Sequence, residues 1–144
     1  MGIIKADNDD VILDAGAGQG TKFKVDGTEV ASVSSTGNLT CTGADVTGRA
    51  KGTLTTDNDG SFDMNVTNNY KCTPTGNFTL TFTNIVSQSG FILLVNTGGH
   101  TVSAAATTKV DANALATIST AGTYLVSYFS DGTNVYLTNS AVYA

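Results

Sequence analysis

The residues able to do chemistry in this chain are few, and their spacing favours no reaction. The single histidine, His100, sits in the turn-rich stretch Thr97-Gly98-Gly99-His100-Thr101. A hydrolase needs a nucleophile, a base and an orienting group within hydrogen-bond reach; a loop histidine of this kind reads as an exposed turn residue. Paired carboxylates for glycoside hydrolysis would have to come from twelve acids, eleven of them Asp, and nine of the twelve precede residue 60. Asp57-Asn58-Asp59-Gly60 has the composition of a calcium loop, but its glycine stands fourth where the EF-hand pattern wants it sixth, so it reads as a turn. Asp7-Asn8-Asp9-Asp10 reads as a solvated acidic cluster. Gly16-Ala17-Gly18-Gln19-Gly20 looks like a phosphate loop, yet dinucleotide sites need a following helix and P-loops a Lys-Ser/Thr pair. Here Thr21-Lys22-Phe23-Lys24-Val25 continues as a strand. Cys41 and Cys72 form neither a CxxC motif nor a Cys/His set, and read as two small buried hydrophobes on different strands. The expectation is a non-enzyme with no cofactor and no metal site.

Three tyrosines, Tyr124, Tyr128 and Tyr136, offer a different chemistry, because aromatic faces stack on sugar rings. Their other role is to close a sandwich or a seam between subunits, and their placement in alternating strands favours that role. They are the candidate glycan contacts if this chain binds a host surface.

The elements that must carry these residues are strands. Threonine is the commonest residue, tryptophan is absent and there is one proline; Thr and Val suit pleated strands. Phe78, Leu80 and Phe82 alternate with Thr79, Thr81 and Thr83, the pattern of a half-buried strand. Phe62, Met64 and Val66 alternate likewise. Phe91–Val95 is a continuous apolar run, expected to be covered on both faces. Gly122–Phe129 sets Leu125 and Phe129 on one side and Tyr124, Val126 and Tyr128 on the other. Asp26-Gly27, Asp59-Gly60 and Asp131-Gly132 read as hairpin turns. Val110–Ala116 is the one short helical candidate. From residue 51 to 144 the recurrence of strands and turns predicts a C-terminal antiparallel β-sandwich, jelly-roll-like.

Residues 1–50 differ. Ile3, Ile4, Val11, Ile12, Leu13, Phe23, Val25, Val30, Val33 and Leu39 are spread thinly among glycines. Burying each would contribute ~1.5–3 kcal/mol, whereas ordering any residue costs ~1–2 kcal/mol of backbone entropy. An extended β segment of this make-up, alone, comes out near zero. It must lean on its own C-terminal domain, on sister chains or on a foreign surface.

Composition narrows the partners. Charged residues make up 13% of the chain and net charge is −5, with the seven basic residues scattered, which argues against nucleic acid. Beyond Cys72 the acids and bases are Lys109, Asp111 and Asp131 besides His100. A surface kept wet by hydroxyls and amides costs little to desolvate and suits broad contact with protein. Met1–Asp10 has no apolar signal core and no run reaches the ~20 apolar residues of a membrane helix. The expectation is a soluble product made in the cytoplasm, without a membrane role.

Val25-Asp26-Gly27-Thr28-Glu29-Val30 followed by Ser35-Thr36-Gly37-Asn38-Leu39 resembles a recurrent element of bacteriophage fibre proteins, a pair of short strands in an intertwined homotrimer. Gly76-Asn77-Phe78-Thr79-Leu80-Thr81-Phe82, Gly90-Phe91-Ile92-Leu93-Leu94-Val95 and Tyr124–Phe129 with Asp131-Gly132 resemble β-domains of phage tail fibres and of small capsid decoration proteins. Where such domains usually carry Trp near a strand end, this chain has Tyr136. The resemblance implies a homotrimer and a place in the virion. The first expectation is a capsid decoration, or cement, protein on the outer capsid surface, assembled in the host cytoplasm. It would bind the major capsid protein through Ile3, Ile4, Val11, Ile12, Leu13, Phe23, Val25 and Val30, which also serve as trimer contacts. The alternative is a trimeric tail-fibre or spike protein whose tyrosines meet a host-surface glycan or receptor.

Overall fold

The computed structural model describes residues 16–43 and 52–143. Twelve strands and one short helix make up the regular structure of these residues, and the all-β expectation holds. The chain divides into two units, Met1–Ala50 and Lys51–Ala144.

In the first unit, β1 (Thr21–Val25), β2 (Thr28–Val33) and β3 (Leu39–Cys41) form an antiparallel meander. Asp26 and Gly27 join β1 to β2 with φ of 49° and 79°. Positive φ at both central residues is the twist that a two-residue hairpin needs, and glycine supplies it without strain. The β2–β3 turn is tied by Ser34 Oγ, which accepts from the backbone N–H groups of Thr36 and Asn38 at 3.3 and 3.0 Å. Lys22 Nζ donates to Glu29 Oε2 at 2.8 Å. That bond, seconded by Ser32, holds the Glu29 carboxyl below the usual carboxylate range. Both partners are exposed, so the pair fixes register more than it stabilises.

In the second unit, a six-stranded sheet runs in the order β10-β12-β11-β8-β6-β4 and a three-stranded sheet in the order β5-β7-β9. The strands are β4 (Leu54–Thr56), β5 (Ser61–Asp63), β6 (Asn69–Cys72), β7 (Phe78–Thr83), β8 (Ser87–Asn96), β9 (Val102–Ala104), β10 (Thr108–Val110), β11 (Gly122–Asp131) and β12 (Val135–Asn139). The expected antiparallel sandwich is corrected in its strand directions. β8–β11 and β11–β12 are antiparallel, whereas β4–β6, β6–β8, β5–β7, β7–β9 and β10–β12 are parallel. The reason lies in the connections. From β4 to β9 successive strands alternate between the sheets, so β4, β6 and β8 in one and β5, β7 and β9 in the other become neighbours running the same way.

Asp59-Gly60 is accordingly no hairpin: it carries the chain from β4 in one sheet to β5 in the other. Its carboxylates cap backbone, with Asp59 Oδ1 accepting from Ser61 N at 2.8 Å and Asp57 Oδ1 from Asp59 N at 3.4 Å. Burial, with Asp59 close by, raises the Asp57 carboxyl above its ordinary pKa. Asp131-Gly132 does close the β11–β12 hairpin, Asp131 Oδ1 accepting from Thr133 N and Asn134 N at 2.8 and 2.7 Å. These bonds hold the Asp131 carboxyl below its ordinary pKa.

The core lies between the two sheets. Phe62, Leu80, Phe82 and Val102 from the smaller sheet meet Tyr70, Cys72, Ile92, Leu94, Tyr124, Val126 and Tyr128 from the larger one. Tilted ring pairs knit the layers, Phe62–Tyr70 at 4.9 Å and Phe82–Tyr128 at 5.1 Å between centroids, and Phe62 and Phe82 pair at 5.5 Å within the smaller sheet. Such geometry satisfies the ring quadrupoles. The helix, α1 (Ala112–Ile118), is N-capped by Asp111, which accepts from Asn113 N, and drives Ile118 into the core. It starts two residues later than the sequence suggests, because Val110 is held in β10 beside Leu137.

Candidate interaction surfaces

The predicted capsid and trimer contacts fall into two groups. Ile3, Ile4, Val11, Ile12 and Leu13 lie outside the described residues. Phe23, Val25 and Val30 lie on the β1–β3 meander, where all three are exposed. Register pairs Thr21 with Val33 and Val33 with Leu39, and pairs Phe23 with Ala31 and Ala31 with Cys41. Cross-strand partners share a face, and so do residues two apart. One face of the meander is therefore Thr21, Phe23, Ala31, Val33, Leu39 and Cys41, and the other carries Lys22, Ser32 and Thr40. The apolar face is open: Leu39 is 67% exposed and Phe23 43%. An apolar face left in water forgoes the ~1.5–3 kcal/mol that burying each large side chain contributes.

Cys41 sits on that face, exposed, which corrects the expectation of two buried cysteines; Cys72 is buried and both are free thiols. Burial, followed by the nearby Asp57 and Asp59 charges, pushes the Cys72 thiol up to about 11. A thiol that stays protonated and enclosed does not react. Maleimide at neutral pH is expected to label Cys41 alone in the native chain and both cysteines in denaturant; rapid native labelling of both would contradict this burial.

The three tyrosines are not brought together. Tyr124 and Tyr128 are buried and only Tyr136 is exposed. Tyr128 Oη donates to the Asn68 carbonyl at 3.0 Å, and Tyr124 Oη pairs with Thr120 Oγ1 at 2.6 Å. Burial pushes the Tyr128 and Tyr70 phenols up to about 12. These are core residues with a satisfied polar tip. The alternation in β11 explains the outcome: the side bearing Tyr124, Val126 and Tyr128 faces the smaller sheet, and the side bearing Leu125 and Phe129 faces out.

His100 is half-buried, and its backbone N–H donates to Asn96 Oδ1 at 2.9 Å. Asn96, fully buried, donates in turn to the His100 and Ile118 carbonyls at 2.9 and 2.8 Å. This is a structural clasp, joining β8, the following loop and the end of α1.

A second open apolar surface was misread in the sequence. The run Phe91–Val95 is covered on one side only. Ile92 and Leu94 are buried, whereas Phe91 is 49% exposed on the outer face of the six-stranded sheet. Register sets Leu54 beside Asn69, Asn69 beside Phe91, Leu93 beside Leu125, and Phe129 beside Tyr136 on this same face. Leu54 and Phe129 are each 57% exposed. A hollow of ≈ 360 Å³ opens among Leu54, Asn69, Phe91, Leu93 and Leu125. A smaller one of ≈ 310 Å³ lies against Phe129, Tyr136 and Thr138.

No family model, no curated protein and no solved structure matches this chain.

Proposed function

We propose that this chain is a non-enzymatic phage virion structural protein. It is a capsid decoration protein that binds the major capsid protein as homotrimers on the outer capsid surface and reinforces the shell. The observation that carries this reading is the β1–β3 meander, one face of which carries Phe23, Ala31, Val33, Leu39 and Cys41, with Phe23, Leu39 and Cys41 exposed and Ala31 and Val33 half-buried. Such a sheet is built to be covered by other protein. Burying each large side chain there contributes ~1.5–3 kcal/mol on contact, and repetition over many copies multiplies weak binding into firm adhesion. The polypeptide before it carries Ile3, Ile4, Val11, Ile12 and Leu13 on either side of the acidic cluster Asp7-Asn8-Asp9-Asp10.

The test has two arms. Deleting residues 1–14, or replacing Phe23→Asp, is expected to leave unit 51–144 folded while abolishing co-sedimentation with expanded capsids. Full decoration by both variants would overturn the contact assignment. Copy number per virion is expected to be on the order of hundreds, as multivalent reinforcement requires. A handful to a few dozen copies would instead indicate a fibre, with Tyr136 the one exposed ring of the three glycan candidates.

A further inference from the structure

The dipeptide Asp-Gly occurs three times in the chain, at Asp26-Gly27, Asp59-Gly60 and Asp131-Gly132. Each holds the reactants of one intramolecular step. The glycine nitrogen attacks Cγ of the aspartate carboxyl, a C–N bond forms, the nitrogen gives up its proton and the carboxyl hydroxyl leaves as water. The five-membered succinimide then takes water back. Opening at Cγ restores aspartate, and opening at the aspartate's α-carbonyl leaves isoaspartate, with the chain running through Cβ and Cγ. The net change is an isomerisation that needs only water. Glycine suits the step because no side chain screens its nitrogen, and the two groups are already neighbours. In a folded chain the rate depends on whether they are free to meet.

At two of the three sites they are held. The Asp59 carboxylate accepts from Ser61 N at 2.8 Å. Gly60 is buried against the Phe78 ring, and its carbonyl accepts from Thr81 N at 2.9 Å. At the β11–β12 turn, Asp131 Oδ1 accepts from Thr133 N and Asn134 N, and Oδ2 accepts from Tyr136 Oη at 3.2 Å. The Gly132 N–H itself donates to Ser130 Oγ at 3.1 Å, and Ser130 is fully buried.

Asp26-Gly27 has none of this. Among the described residues neither the Asp26 carboxylate nor the Gly27 N–H has a hydrogen-bond partner. A methyl group on Gly27 would meet nothing within 4 Å, so its surroundings are open. The register shifts between Phe23 and Lys24, which sets the pairs Lys24–Glu29 and Val25–Thr28 apart from the rest of the ladder. Every residue from Lys22 to Val30 is exposed, so opening the hairpin tip uncovers no core. Asp26 also stands at φ 49°, a conformation that costs a residue with a side chain and that opening relieves.

We propose that Asp26 is a site of spontaneous covalent modification, converting to isoaspartate through a succinimide with Gly27 while Asp59 and Asp131 stay protected by the fold. The inference goes beyond a virion role and does not depend on it. The product adds one backbone atom to a two-residue turn whose strands pair directly at Val25 and Thr28. The pairs at the tip cannot all be kept, so the modification loosens the hairpin that carries Phe23.

The purified full chain, held for weeks in neutral buffer below its melting temperature, tests this by peptide mapping with fragmentation that separates aspartate from isoaspartate. Isoaspartate at position 26 is expected to exceed that at 59 and at 131 by about tenfold or more, because each of those sites must first release its hydrogen bonds. In urea, where no fold protects them, the three dipeptides are expected to convert at similar rates. Equal yields at all three sites of the folded chain overturn the proposal. So does an unmodified Asp26 in the folded chain while the urea sample converts. An excess at position 26 that persists undiminished in urea traces the difference to flanking residues and overturns the role given to the fold.

Discussion

A Gly90→Ala substitution is expected to destabilise the second unit by about 3 kcal/mol or more, from the cost of forcing extra volume into a packed interior. Gly90 is buried on β8, opposite Tyr128 of β11. A methyl group there would lie 1.8 Å from the Asn68 carbonyl oxygen and 2.6 Å from Tyr128 Oη. The backbone is the nearer obstacle and cannot swing aside as a side chain would. That same carbonyl accepts from Phe91 N and from Tyr128 Oη, each at 3.0 Å. Relief of the clash therefore breaks the bonds that begin the β6–β8 ladder. The consequence reaches the surface, because Asn69 and Phe91 border the outer hollow. Urea denaturation is the measurement, with Gly76→Ala as control, since a methyl group at Gly76 meets nothing within 4 Å. A Gly90 variant within about 0.5 kcal/mol of the control would contradict the close approach.

Asn96→Asp is expected to cost about as much, and to cost more as pH rises. Asn96 is fully buried and uses both ends of its amide. Its oxygen accepts from His100 N, and its nitrogen donates to the carbonyls of His100 and Ile118. A carboxylate keeps the first bond, loses the other two and sets negative charge against two carbonyl oxygens. Each orphaned buried group costs ~1–3 kcal/mol, and the buried charge adds desolvation. The sign follows from linkage. Burial raises the folded-state pKa of the introduced carboxyl, so the folded state holds its proton to higher pH than the unfolded state does. The variant is closest to native stability at low pH and loses ground as pH climbs through the unfolded and then the folded pKa. Thermal melts at pH 5 and pH 8 are expected to differ more for the variant than for the native chain. Equal offsets at both would place Asn96 in contact with water.

These two residues also show where sequence reading stopped. Asn96 follows an apolar run and precedes Thr97-Gly98-Gly99, so as a sequence it looks like the first residue of a loop. Its three partners come from 4 and 22 residues away, and no local pattern announces a clasp of that span. Gly90 looks like turn punctuation before a strand, yet it lies inside β8. The constraint on it is a carbonyl of another strand's approach, which only the assembled sheet supplies.

The strands themselves were written in local alternation. Phe78, Leu80 and Phe82 form β7 as their spacing predicts, and Asp26-Gly27 makes its hairpin because glycine permits positive φ there. The steric rules involved act over two to four residues, which is why a one-dimensional reading captures them. Direction is a different matter. Asp59-Gly60 and Asp131-Gly132 carry the same dipeptide, one crossing between sheets and one closing a hairpin. What separates them is whether the next strand finds its partner beside it or across the core. In the same way the run Phe91–Val95 announces a demand for two apolar neighbours, and the tertiary fold meets it on one side alone. Period-two patterning assigns β11's tyrosines to a common face but cannot say which face turns inward. That choice was made by volume: Tyr70, Phe82 and Tyr128 fill the space between the sheets, and Phe129 and Tyr136 are left outside. Local sterics determined the elements of this protein; long-range packing, which depends on residues tens of positions apart meeting in three dimensions, decided their directions and which apolar faces remained open.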